Sequence, residues 1–181
     1  MADCVWMKRF FKPENTIRLV ELLLAVLIVS LAFGWESKGI RYVHLNKGDY
    51  DEVGNIVFFL MIGMVSLLFL LTVLTYSVAR SPRLFPPCLD LVISSSLSVL
   101  TFIASAILAH SLSNLGKSLA VREAGLKFTA LQATLVNIFG LVLAMLLAVS
   151  AAFAFCYCRK NSGYTTNDSR TMTDLLDDIP T

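Results

Sequence analysis

No proline interrupts the long apolar runs of this chain, and no His-rich or Cys-rich cluster accompanies them. Each scarcity removes a class of function. The two histidines, His44 and His110, fall in separate polar segments, and Cys156-Tyr157-Cys158 has only one intervening residue, so neither offers a metal-ligand spacing. There is no G-x-S-x-G, no phosphate loop and no H-E-x-x-H, and the sequence therefore points away from an enzyme. A transporter is expected to carry broken or Gly/Pro-interrupted spans and facing ionisable groups at the bilayer midplane. None of the spans contains a proline, no carboxylate lies near a bilayer midplane, and no cofactor is implied. A formal charge of +2 gives no electrostatic reason to expect nucleic acid as a partner.

What is present in excess is hydrocarbon. Of 181 residues, 56% are hydrophobic, and most of them sit in runs near 17–35, 56–78, 91–109 and 130–156. Each run approaches or exceeds the ~20 residues a helix needs to cross a hydrocarbon core. Lipid offers bare peptide groups no hydrogen-bond partner, so such runs must be helices. The expected fold is an all-α, integral-membrane four-helix bundle. It comprises a short N-terminus (1–12), a four-span domain (13–158) and a polar tail (159–181) expected to be disordered. No connecting loop is long enough to bury a soluble core of its own. A cleaved signal peptide is the competing reading of the first run, but that run exceeds the ~7–15 residues of a signal core.

Basic residues near span ends favour the cytoplasm. Placing both termini there puts Lys8, Arg9, Lys12, Arg18, Arg80, Arg83, Arg159, Lys160 and Arg170 inside. Lys38, Arg41, Lys47, Lys117, Arg122 and Lys127 then lie outside, diluted by acids. Cys4, Cys88, Cys156 and Cys158 all fall on that inner face, as thiols in a reducing compartment would. Cys156, Cys158 and then Cys88 are candidates for S-palmitoylation beside a span end, against the plainer reading of inert thiols. The sequon at Asn167 would be silent in a cytosolic tail.

Within lipid, association relies on close packing at small residues. The third span carries Ser94, Ser98, Thr101 and Ser105 on one face. The fourth carries Ala133, Asn137, Gly140, Ala144, Ala148 and Ala151 on a similar stripe. These faces are expected to meet, with the hydroxyls satisfied across the interface or by preceding carbonyls. Lining a polar pore is the alternative. Arg18 and Glu21 lie three residues apart near the inner end of the first span, within reach of headgroups or of one another. Asp90 opens the third span, where a carboxylate suits a helix N-terminus. Leu74, Tyr76 and Arg80 fit a loose cholesterol-contact pattern, which ordinary interfacial anchoring explains equally.

Several stretches resemble the MARVEL-domain four-span family. They are Ile17-Arg18-Leu19-Val20-Glu21-Leu22, Asn55-Ile56-Val57-Phe58-Phe59 and Pro86-Pro87-Cys88-Leu89-Asp90-Leu91. The outer loops lack cysteine, which is similar to the short-looped members rather than to physins or occludin. The resemblance implies a non-enzymatic role in organising membranes or sorting vesicles at the plasma membrane or in trafficking vesicles. Its implied partners are membrane lipids, cholesterol-rich domains included, other membrane proteins, and further copies of itself. A cell-junction assembly subunit is the first alternative, and a small channel or transporter the second.

Overall fold

A computed structural model describes residues 13–78, 87–127 and 130–177. Five α-helices are present among them: α1 (Pro13–Phe33), α2 (Val53–Val78), α3 (Pro87–Lys117), a short α4 (Leu119–Glu123) and α5 (Ala130–Asp177). Four of these are long and apolar enough to cross a membrane, over Asn15–Phe33, Val53–Ser77, Cys88–Lys117 and Thr134–Arg159. The expected arm at 1–12 and the inner bases Arg80 and Arg83 lie outside the described residues.

The four long helices are arranged in a ring, each touching its sequence neighbours, with α5 closing back onto α1. Neighbours run antiparallel, as the pairs Asn55 with Ser111, Ser98 with Ala144 and Ser105 with Gly140 show, so the chain runs up, down, up and down. The partnership of α3 with α5 is the most extensive. The core is apolar, with Ala25, Ile28, Leu70, Leu143 and Leu147 almost fully enclosed. The opposite faces expose Leu23, Met61, Leu68, Val92, Phe102 and Met145 to the surroundings. In lipid, that exposure carries no hydrophobic cost.

The boundaries differ from the sequence expectation in two places. Helix α3 continues to Lys117, well past residue 109, because Ser111 and Asn114 are bonded from the side and hold the extra turns. Helix α5 continues to Asp177, whereas the tail after 158 was expected to be disordered. Once a span supplies the nucleus, each further residue adds one hydrogen bond, and no proline intervenes before Pro180.

The small-residue stripes meet as expected through Gly140 and Ala144, but not along their whole length. Ala148 is exposed, and the buried positions shift to Leu143, Leu147, Ser150, Ala151 and Ala154. Two successive steps of four, from Gly140 through Ala144 to Ala148, advance about 80° beyond whole turns of a helix of 3.6 residues per turn, which carries Ala148 to the edge of the interface. Gly140 marks the tightest point. A Cβ there would meet Ser105 Oγ at 2.5 Å and the Phe59 ring at 3.1 Å.

The hydroxyls are satisfied only in part. Ser98 Oγ donates across the interface to the Ala144 carbonyl at 2.8 Å. Ser66 Oγ, Thr101 Oγ1, Ser105 Oγ and Asn137 Oδ1 are buried without a hydrogen-bond partner. Ser105 is therefore present for its small size.

A Gly140→Ala substitution is expected to destabilise the bundle by about 1–3 kcal/mol through overpacking. Adding Ser105→Ala should recover much of that loss, because it removes an unpartnered oxygen from the point of collision. Denaturant titration in micelles provides the check. Wild-type stability in the single variant would contradict the close contact.

Candidate functional site

Two polar clusters hold the bundle, one at each end. At the end where α1 begins, Arg18 and Glu21 occupy one helical face because they are three residues apart. Arg18 Nη1 donates to Glu21 Oε2 at 3.0 Å. Its other terminal nitrogen, Nη2, donates to Asp90 Oδ1 at 2.6 Å and to Ser94 Oγ at 2.9 Å. The guanidinium also lies over Phe69, 5.8 Å from the ring centroid. From α5, Ser150 Oγ donates to Glu21 Oε1 at 2.6 Å. One cation thus touches residues of α1, α2 and α3, and Glu21 extends the cluster to α5.

Arg18 and Glu21 are 6% and 0% exposed. They face into the bundle and not toward headgroups, although their mutual pairing is as expected. Asp90 does lie in the first turn of α3, yet its carboxylate serves Arg18 and Ser94. Sequence reasoning identified Arg18, Glu21, Asp90 and Ser94 one by one. Their convergence depends on the ring arrangement of the helices, which no local pattern encodes.

The cysteines depart from the sequence expectation. Cys88, in the first turn of α3, forms a disulfide with Cys158 of α5 across 70 residues of sequence. Neither is then a thiol available for lipidation. Among the described residues Cys156 is the free cysteine, and it is exposed. Thiols kept reduced in the cytosol were expected on this face, whereas a lasting disulfide is typical of an oxidising compartment. The cysteines therefore no longer support a cytosolic placement of this face, and the charge distribution carries that expectation alone.

At the other end the loops at 34–52 and 118–127 lock together. Residues Glu36–Ser37 (β1) and Ile40–Arg41 (β2) pair antiparallel around Lys38 and Gly39, both with positive φ, as a two-residue type I′ turn requires. From the hairpin tip, Lys38 Nζ donates to the Ala124 carbonyl at 3.1 Å, and Ser37 Oγ accepts from the Lys127 amide at 2.9 Å. A second turn, Lys47–Tyr50, brings Gly48 so close to Ala120 that a Cβ would sit 2.6 Å from it. That approach aims Asp49 at the start of α4. Its Oδ1 accepts from Ser118 Oγ at 2.5 Å and its Oδ2 from the Leu119 amide at 2.9 Å, satisfying donors that a helix start leaves free.

Beside it, Glu52 binds α3. Its Oε1 accepts from Asn114 at 2.8 Å, and its Oε2 accepts from Ser111 at 2.9 Å and from Asn55. Beneath these bonds, Trp35, Tyr42, Val43, Leu45, Tyr50 and Val121 are buried together. Tyr42 stacks on Trp35 with centroids 4.2 Å apart, and the Tyr42 and Tyr50 hydroxyls are 3.3 Å apart. Neither loop could bury a core alone, but the two jointly cover the mouth of the bundle. The signal in the sequence was the apolar content of 42–50, unusual for a polar connection.

The Ser118 hydroxyl, followed by the Leu119 amide, holds the Asp49 carboxyl below its ordinary value. The Asn114 amide, with Ser111 and Asn55, does the same for Glu52. Burial raises both Tyr42 and Tyr50, which stay neutral. Among the described residues there is no group of three or more His, Cys, Asp or Glu able to hold a metal ion. No protein-family model, curated protein or solved structure matches this chain.

Because both carboxyls titrate lower in the folded cap than in the free chain, the folded cap binds fewer protons. Its stabilisation is complete above the ordinary carboxyl range and is lost as pH falls through the folded values. Amide exchange at Leu119 and Ala120 should be protected at neutral pH and lose protection in acid. Asp49→Asn should weaken that protection at neutral pH and blunt its acid dependence. Unchanged protection in the variant at every pH would refute the capping role.

Proposed function

We propose that this chain is a non-enzymatic membrane-organising protein, acting in membrane apposition or vesicle sorting with both termini in the cytosol. The observation that carries the reading is how the bundle disposes of its polar groups. The charged residues of the spans bond to one another inside, while all four helices present large apolar side chains outward. A surface of that kind works by lateral packing with lipids and with other membrane proteins, including copies of itself. The stretches resembling MARVEL-domain proteins point the same way. The Cys88–Cys158 disulfide is typical of an oxidising compartment, so the orientation rests on the charge distribution alone.

The interlocked outer loops favour a second reading, a subunit of a cell junction. A cap fixed by Asp49, Glu52 and Lys38 presents a defined surface to an opposing membrane. A channel has less in its favour, because the interior is filled by leucines and by the Arg18 cluster.

Epitope tags at each end, probed in sealed and then permeabilised cells, test the orientation, and the same tagged chain reports location. Both tags should become accessible only after permeabilisation, with the protein at the plasma membrane and in vesicles. Restriction to cell–cell contacts would favour the junction reading. Solute flux through the protein reconstituted in liposomes would overturn both.

A further inference from the structure

The geometry points to a phospholipid-binding site at the outer end of the bundle, with one acyl chain in an apolar groove and its phosphate on Arg122. The groove encloses about 500 Å³ between the last turns of α3, the short α4 and the start of α5. That volume lies within the range of about 300–1,000 Å³ typical of small-molecule sites. Leu112, Leu115, Val121, Leu126 and Trp35 supply its apolar lining. Its polar residues are few: Arg122, Ser113 and Thr134. An apolar wall with one cationic corner complements an amphipathic anion.

Depth selects the ligand. The outward-facing apolar side chains reach Ile103 on α3 and begin again at Ile138 on α5. The groove starts at Ala109 and Thr134, about 6–9 Å farther out at 1.5 Å per residue. That is the level at which acyl chains give way to glycerol and phosphate. Arg122 is exposed and forms no salt bridge with any described residue, so its guanidinium is free for bidentate phosphate contact. An apolar recess at this level is filled by hydrocarbon from its surroundings in preference to water. The inference rests on the four-span placement in lipid and is independent of the organising role.

Gly116 supplies the test. It lines the groove, and a Cβ there meets nothing within 4 Å, so a large side chain can occupy the space without disturbing the backbone. The full chain is reconstituted in phosphatidylcholine nanodiscs containing a trace of phosphatidylcholine with a photoreactive acyl chain. Crosslinked peptides are then located by mass spectrometry. Wild-type protein should be labelled within 109–126 as well as along the lipid-facing belt near 92–103. Gly116→Trp should cut labelling of 109–126 about tenfold while leaving the belt unchanged, and Arg122→Gln should cut it by a similar factor.

Equal labelling of 109–126 in Gly116→Trp and wild type would overturn the site. So would equal labelling by a diacylglycerol probe that lacks phosphate, or preferential labelling by a photoreactive sterol. Loss of belt labelling in the wild type would instead contradict the placement in lipid, on which the site depends.

Discussion

A guanidinium sealed inside a bundle of apolar helices cannot be left without partners. Arg18 meets that demand with Glu21 on its own helix and with Asp90 and Ser94 on α3, while Phe69 of α2 covers it. Removing charges from water costs several kcal/mol per ion, so these contacts must all form together or the arrangement fails. Hydrocarbon packs against hydrocarbon about as well in lipid as in protein, and leucines alone therefore specify no unique neighbour. The Arg18 cluster supplies that specificity: only one rotation of each helix brings Glu21, Asp90, Ser94 and Ser150 to the same point. The close contact at Gly140 and the bond from Ser98 to Ala144 then follow from the register it sets.

The opposite end is held by different means. There the chain leaves the apolar layer, and water can compete for every polar group. The cap answers with many modest bonds over a small aromatic core, with Asp49 and Glu52 each accepting from several donors. The two ends are therefore sensitive to different conditions. Acid loosens the cap, whereas the Cys88–Cys158 link at the other end responds to thiol redox state. The groove beside Arg122 lies between the cap and the outward-facing apolar side chains of the helices.

Much of this was legible in the sequence because the bilayer imposes so strong a constraint. Four unbroken apolar runs admit few structures besides four helices, and short loops make them antiparallel. The small residues of α3 and α5 indicated the right pair of helices. Ala148 misled because the two successive steps of four that lead to it from Gly140 carry it to the edge of the face that the rest of the stripe shares. The far end of α3 was missed because its stability comes from Glu52 in another segment. Cys88 and Cys158 lie 70 residues apart, and local context described each only as a thiol beside a span. Asp49 resembled an ordinary loop acid. Its role exists only because Gly48 lets the loop touch Ala120.

Arg18 and its acidic partners fix the bundle, and a double-mutant cycle between Arg18 and Asp90 measures that coupling. Unfolding of Arg18→Met, Asp90→Asn and the double variant would be followed by denaturant titration in mixed micelles. Arg18→Met alone is expected to lose about 3–5 kcal/mol, because the buried Glu21 and the partly buried Asp90 lose their cation. The double variant then loses clearly less than the sum of the two single changes. Strictly additive losses, or a single variant as stable as the wild type, would show that the helices find one another without this cluster.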